Sequence, residues 1–191
     1  MITKAYLIES KAIPINVNIS DDKVLPYMYP AFEQLLQTLP IALYTALDAL
    51  ATEDVKQWSI TNPYVATNKA NEIEVGVLKM WQSVGTNSDS KPTTANTANW
   101  LELELGTFLV NYVQPFLGLA TYYGYAVSGS VNSSHQGLQK VSNETAQSLT
   151  GTDLQSFLGY WKGQRDLKRK SMLNYLDTKK NVLDTVSYTA V

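Results

Sequence analysis

Hydrophobic residues recur at helical spacing along most of this chain, and the first twenty residues follow a different rhythm. Ile13, Ile15, Val17 and Ile19 alternate with Pro14, Asn16, Asn18 and Ser20. That period of two marks a half-buried extended segment. It reads either as an arm packed on a neighbouring molecule or as a strand lying on its own domain. Ser20-Asp21-Asp22 then supplies N-cap and first-turn residues for a helix, since their side chains accept from free backbone N–H groups. Pro26 and Pro30 each remove a donor and should restrict its early turns. Phe32, Leu35, Leu36 and Leu39 give an i, i+3, i+4, i+7 stripe, and Pro40 separates it from a second helix over Ile41 to Leu50. Residues 51–67 read as loop, with "TNPY" as a turn signal.

A third helix is expected from about Asn68 to Val84, carrying Ile73, Val77, Met80, Trp81 and Val84 on one side. The stretch 85–99, "GTNSDSKPTTANTAN", reads as an exposed loop. A fourth helix should start near Trp100 and be interrupted or kinked by Pro115, continuing as "FLGLATYYGYAV", apolar nearly all round and so central to the core. After a polar stretch the last helix begins at Thr150 or Thr152, with Leu154, Phe157, Leu158 and Trp161 as a burying face. Its middle, "GQRDLKRKS", has Leu167 as its single apolar residue, and apolar character returns at Met172, Leu173, Tyr175 and Leu176. A helix apolar at both ends and polar between suits a bridge between two bodies. The fold expected is mainly α, a small helical bundle. It has an extended N-terminal arm (1–20), a helical domain (21–176) with a polar loop or hairpin at about 128–150, a long C-terminal helix and a tail (177–191).

Composition narrows the chemistry. A chain of 191 residues with 45% apolar content can bury a core of its own. The absence of cysteine removes disulfides, thiolate catalysis and cysteine-based zinc sites. The N-terminus lacks the apolar core of a signal peptide, and no run is long enough to span a membrane, so a soluble protein made in a reducing cytoplasm is expected. The Asn-x-Ser/Thr triplets at Asn18, Asn132 and Asn143 are then chance matches. The net charge of −2 is unevenly placed: residues 161–191 hold seven basic and three acidic residues, and residues 1–160 hold eight and fourteen. An acidic body with a basic C-terminal helix suits docking on an acidic surface, another copy included; the alternative is an ordinary solvated helix.

Catalytic and metal-binding patterns are missing. His135 is the single histidine and sits among turn-forming residues, and no Gly-x-Ser-x-Gly elbow supplies a nucleophile. The carboxylates come as Asp21/Asp22, Glu53/Asp54, Glu72/Glu74 and Glu102/Glu104. Read on helices, pairs two apart point to different faces and do not converge on a metal or substrate. No phosphate-binding loop or calcium loop occurs. The expectation is a non-enzyme with no cofactor and no metal. Lys162, Arg165 and Arg169 share one helix face with Lys168 and Lys170 beside them, a cluster able to neutralise phosphates. A pI of 5.4 argues against a dedicated DNA-binder.

Three segments, in order, resemble the small α-helical head–tail connector (adaptor, or ring) proteins of tailed bacteriophages, as in phages of Bacteroidetes hosts including crAss-like phages. They are "IPINVNISDDKVLPYMYPAFEQLLQTLPIALYTAL", "LGTFLVNYVQPFLGLATYYGYAV" and "HQGLQKVSNETAQSLTGTDLQSFLGYWKGQRDLKRKSMLNYL". The resemblance implies a structural virion protein of the phage neck. It would form a twelve-fold ring of identical subunits that joins the portal protein to the next tail or neck ring. DNA would pass through the channel without sequence-specific binding, and no membrane is involved. Candidate partner contacts are Ile13, Ile15, Val17 and Ile19 on the arm, His135, Leu138 and Val141 on the polar insertion, and Lys162, Arg165, Lys168, Arg169 and Lys170 on the last helix. The alternative is a helical nucleic-acid-binding regulator that uses the basic cluster.

Overall fold

The computed structural model describes residues 21–53, 55–59, 64–85, 90–131, 139–141, 146–148, 151–179 and 183. The N-terminal positions Ile13, Ile15, Val17 and Ile19, and His135 and Leu138, lie outside them. The fold is mainly α with a small sheet. In chain order come α1 (Asp21–Leu36), α2 (Ile41–Ala51), β1 (Lys56–Gln57), β2 (Lys69–Glu74), β3 (Val77–Ser83) and β4 (Trp100–Glu102). Then follow α3 (Glu104–Phe108), a π-helical turn (Leu109–Val113), α4 (Gln114–Val131), β5 (Gln139–Val141), β6 (Ala146–Ser148) and α5 (Gly151–Thr178). The chain divides into two compact units, one built on residues 39–114 and 172–191, the other on 2–38 and 115–171. No helix among the described residues is long and apolar enough to cross a membrane.

In the second of these units α1 stays helical through both prolines. Pro26 and Pro30 are exposed, so the carbonyls that lose their donors face the solvent side. The buried line is Val24, Met28, Ala31 and Leu35, spaced four, three and four, while Leu36 is exposed and Phe32 half-buried. The stripe is therefore rotated from the expected one. α4 contributes Phe116, Leu117, Leu119, Ala120 and Tyr122 to this core, and Tyr27 meets Tyr125 edge-on at 5.8 Å. β5 and β6 pair antiparallel, Gln139 with Ser148 through Val141 with Ala146, so the polar insertion contains a hairpin.

The other unit holds a four-stranded sheet in the order β1-β2-β3-β4, parallel between β1 and β2 and antiparallel elsewhere. The helix expected over Asn68 to Val84 is instead the β2–β3 hairpin, with Lys69 opposite Gln82 and Glu74 opposite Val77. The helical pattern includes Met80 and Trp81, neighbours in β3 that are both buried, one on each face, while Ile73, Val77 and Val84 are exposed. Met80 faces α3, and Trp81, on the other face, packs with Tyr64, Ala70 and Trp100, with Trp58 against them. Burial on both faces erases the period of two that marks a half-buried strand. The expected start of a helix at Trp100 is likewise a strand, β4, and the helix begins at Glu104.

Both edges of this sheet end in side-chain caps. β4 stops at Glu102, and Leu103 N–H still bonds the Met80 carbonyl. One pair further along β3, the Asn111 amide takes over and donates to the Leu78 carbonyl and, at 2.9 Å, to the Thr107 carbonyl. On the opposite edge the Glu72 carboxylate accepts the Ile73 N–H at 2.9 Å, beyond the reach of β1. Such caps leave less open edge for stray pairing. Asn111 sits on the π-helical turn, which directly precedes Pro115. Pro115 cannot donate and its ring would press on the Asn111 carbonyl in a regular helix. The wider turn relieves this, with Gln114 N–H bonding Leu109 at i−5.

Candidate interaction surfaces

α5 carries the predicted basic cluster, and its spacing and its direction have separate consequences. Lys162, Arg165 and Arg169 do share a face, but that face turns partly toward its own unit. The Arg165 guanidinium lies 4.7 Å from the Tyr123 ring centre and donates to Asp166 at 2.7 Å. Arg169 reaches the Thr38 hydroxyl at 3.5 Å. Stacking and a carboxylate partner suit a planar guanidinium. Lys162, Lys168, Arg169 and Lys170 remain exposed. Val141 lies in β5, where it pairs with Ala146; His135, Leu138 and the four aliphatics of the arm lie outside the described residues.

The burying face expected of α5 is only partly covered. Trp161 packs edge-on against Tyr122 at 4.6 Å, and Leu154 and Leu158 are half-buried. Phe157 is exposed, however, and so are Tyr160 at 59% and Leu167 at 60%. Over 28 residues the helix has one buried side chain, Met172. Gly163 lies between Tyr160 and Leu167 on the outward side, and a Cβ placed there would meet nothing within 4 Å.

The tip of the β2–β3 hairpin is a second unusual surface. Val75 and Gly76 form a two-residue turn with φ of 50° and 77°, the left-handed conformation that favours Asn, Asp or Gly at the first position. A β-branched residue there costs about 1–2 kcal/mol. The Val75 side chain is 98% exposed and is flanked by exposed Ile73 and Val77. At helical period this feature is invisible; the dipeptide Val75-Gly76 between Glu74 and Val77 is the signal that could have shown it.

On one face of the sheet the strand period brings Glu72, Glu74 and Glu102 together around Lys79, opposite to the divergence expected on helices. Lys79 bonds Glu74 and Glu102, each at 2.9 Å, and lies 5.5 Å from the Trp81 ring centre. Lys91 pairs with Glu72 at 3.2 Å. Glu74 also accepts the N–H and hydroxyl of Thr94 at 2.7 and 2.8 Å. The Lys79 hydrogen bond, then the Thr94 N–H, hold the Glu74 carboxyl down to about 2. Burial would depress Lys79, but its bonds to Glu102 and Glu74 outweigh that and raise it. A separate knot forms where Tyr175 stacks on Tyr112 at 4.3 Å and gives its hydroxyl to Glu104, which also pairs with Lys179 at 2.7 Å. Burial pushes the Glu104 carboxyl up, yet its bonds to Lys179 and Tyr175 prevail and hold it below its ordinary value. Each of these charges is engaged by its own unit, which is structural chemistry. No group of three metal-ligating side chains forms among the described residues.

Residues 79–186 match the model of a family described as "Family of unknown function (DUF6712)". The match begins in β3 and takes in α3, the π-helical turn, α4 and α5. Comparison with curated proteins and with solved structures finds no match.

Proposed function

We propose that this chain, which belongs to the DUF6712 family, is a structural subunit of a tailed-phage neck. In this reading copies of the chain form a ring, twelve-fold to follow the portal, that joins portal to tail and continues the DNA channel. The work is mechanical: sealing packaged DNA and passing it at ejection, with no catalysis, cofactor or metal. The extended arm (1–20) lies on a neighbouring subunit, and the hairpin insertion and the exposed lysines of α5 meet a neighbour or a partner ring. The observation that carries the reading is α5, a 28-residue helix with one buried residue and exposed Phe157, Tyr160, Leu167 and Leu173. A helix that long with so little cover inside its own chain is suited to be covered by other chains.

Charge supports contacts between copies. The unit with the sheet holds six basic and ten acidic residues, and the other holds nine basic and seven acidic. Unlike surfaces of opposite sign are what a head-to-tail interface needs, and such an interface closes into a ring when the rotation allows. Mass photometry and negative-stain microscopy of the purified chain, alone and with the portal protein, test this. Rings alone or rings seated on portal are expected; a strictly monomeric chain with no affinity for portal overturns it.

Exposed Lys162, Lys168 and Lys170 favour the second reading, a nucleic-acid-binding regulator. Binding to duplex DNA that weakens steeply with salt and disappears when Lys168, Arg169 and Lys170 are replaced would favour it over the neck subunit.

A further inference from the structure

We propose that the tip of the β2–β3 hairpin is a docking knob, with Val75 of one copy seating on the outward face of α5 of a second copy between Tyr160 and Leu167. The contact rests on the ring reading and names the surfaces through which neighbouring copies would meet.

Val75 breaks two local rules together. Its φ of 50° strains a β-branched residue, and its side chain is 98% exposed, so packing within its own chain returns nothing. Asn, Asp or Gly would remove both faults. A strained and exposed apolar residue is accounted for if its surface is covered in the assembled state. The tip around it is apolar, with Ile73 and Val77 exposed on either side. The carboxylate of Glu74 is drawn away by Lys79 and Thr94, so no unpaired charge obstructs docking at that position.

The receiving face has the complementary form. Tyr160 and Leu167 are two turns apart on α5, about 10 Å along its axis, and both are exposed. Gly163 lies between them, and the space above it is open. A glycine inside a helix is unfavourable relative to alanine, and no neighbour among the described residues explains this one. Tyr160 and Leu167 thus flank the open stretch over Gly163, a shallow hollow on the helix surface with one aromatic and one aliphatic side. Lys162, Lys168 and Lys170 are exposed around it. A second copy is the occupant the observations favour, because the unit bearing the knob is net acidic and the unit bearing the hollow is net basic. Tip and hollow differ, so the contact is head-to-tail and propagates around a ring.

The test measures self-association of the full chain by sedimentation velocity and mass photometry, with thermal unfolding followed by circular dichroism. Val75→Asn should raise the melting temperature of the subunit by roughly 2–5 °C, because Asn accepts the left-handed turn. The same variant should weaken self-association about tenfold or more. Leu167→Gln on the receiving side should weaken it comparably without loss of helicity, and the double variant should be little worse than either alone. If Val75→Asn and Leu167→Gln both assemble like the wild type, the knob contact is wrong while the ring reading stands. A wild-type chain that forms no ring, alone or on portal, removes the ring reading and this contact with it.

Discussion

Replacing Gly106 with alanine should destabilise the protein, although alanine is the better helix former. Gly106 is buried in α3, directly against β3. A Cβ at this position would lie 2.6 Å from Met80 Cβ and 2.9 Å from its Cγ, where carbon atoms prefer about 3.5–4 Å. Rotating the Met80 side chain can move Cγ, but Cβ is fixed to the backbone of β3. That strand is held by β2 on one side and β4 on the other, so α3 and β3 must part by about 1 Å for ordinary contact. Overpacking of this kind costs about 1–3 kcal/mol, offset by at most about 1 kcal/mol of improved helix propensity. A net loss near 1–2 kcal/mol corresponds to a fall of roughly 3–6 °C in melting temperature for a chain this size. Thermal melts and urea midpoints measure it. Met80→Ala should not rescue the variant, because it leaves the offending Cβ in place. A Gly106→Ala protein as stable as the wild type would show that the two elements separate freely and that close packing here is not a constraint.

Lys79→Met should leave Glu74 and Glu102 without their shared ammonium and lower stability at neutral pH by about 1–3 kcal/mol, less than for a fully buried pair because the group is partly solvated. The Glu74 carboxyl is held at about 2 against an ordinary 4.5, so its contribution is complete above about 4.5 and is lost as pH falls toward 2. Melts at pH 7, 4 and 3 should show a shallower acid decline in Lys79→Met than in the wild type; equal slopes would remove Lys79 as the cause. Asn111→Leu should orphan the Leu78 carbonyl where β4 has ended and cost about 1–2 kcal/mol, read as a lower urea midpoint, and an unchanged midpoint would mean that the edge cap contributes nothing.

The sequence made the helical framework legible and concealed the sheet. The corner at Leu39-Pro40 and the start of the last helix at Gly151 fall where the punctuating residues place them. Prolines were weaker guides. Pro26 and Pro30 leave α1 unbroken because they occupy its solvent side, and Pro115 is accommodated by a π-helical turn that no local preference announces. The β2–β3 hairpin was hidden for a more general reason. Val77, Met80, Trp81 and Val84 repeat at three, four and seven, yet only Met80 and Trp81 are buried, under α3 on one face of β3 and in the aromatic cluster on the other, while Val77 and Val84 are exposed. Its face also carries Lys79, and the matching face of β2 carries Glu72 and Glu74, so charge stands where alternation would place apolar residues. At helical period the carboxylates that converge on Lys79 would diverge.

Surface features divide along the same line between spacing and direction. Helical spacing alone shows that Lys162, Arg165 and Arg169 share a face. Which way that face turns depends on Tyr123, a residue remote in sequence that stacks on Arg165, while Arg169 stays exposed with a 3.5 Å contact to Thr38. With Arg165 engaged, the exposed part of the cluster is Lys162, Lys168, Arg169 and Lys170, a concentration of positive charge suited to an acidic surface. The same holds for Gly163 and Val75. A glycine within a helix and a valine beside a glycine are unremarkable as letters. They become informative when the space over Gly163 is found open and the Val75 side chain bare, because each is then a local cost that its own unit does not repay. A cost with no internal return is the physical reason to look for the compensation in a neighbouring molecule.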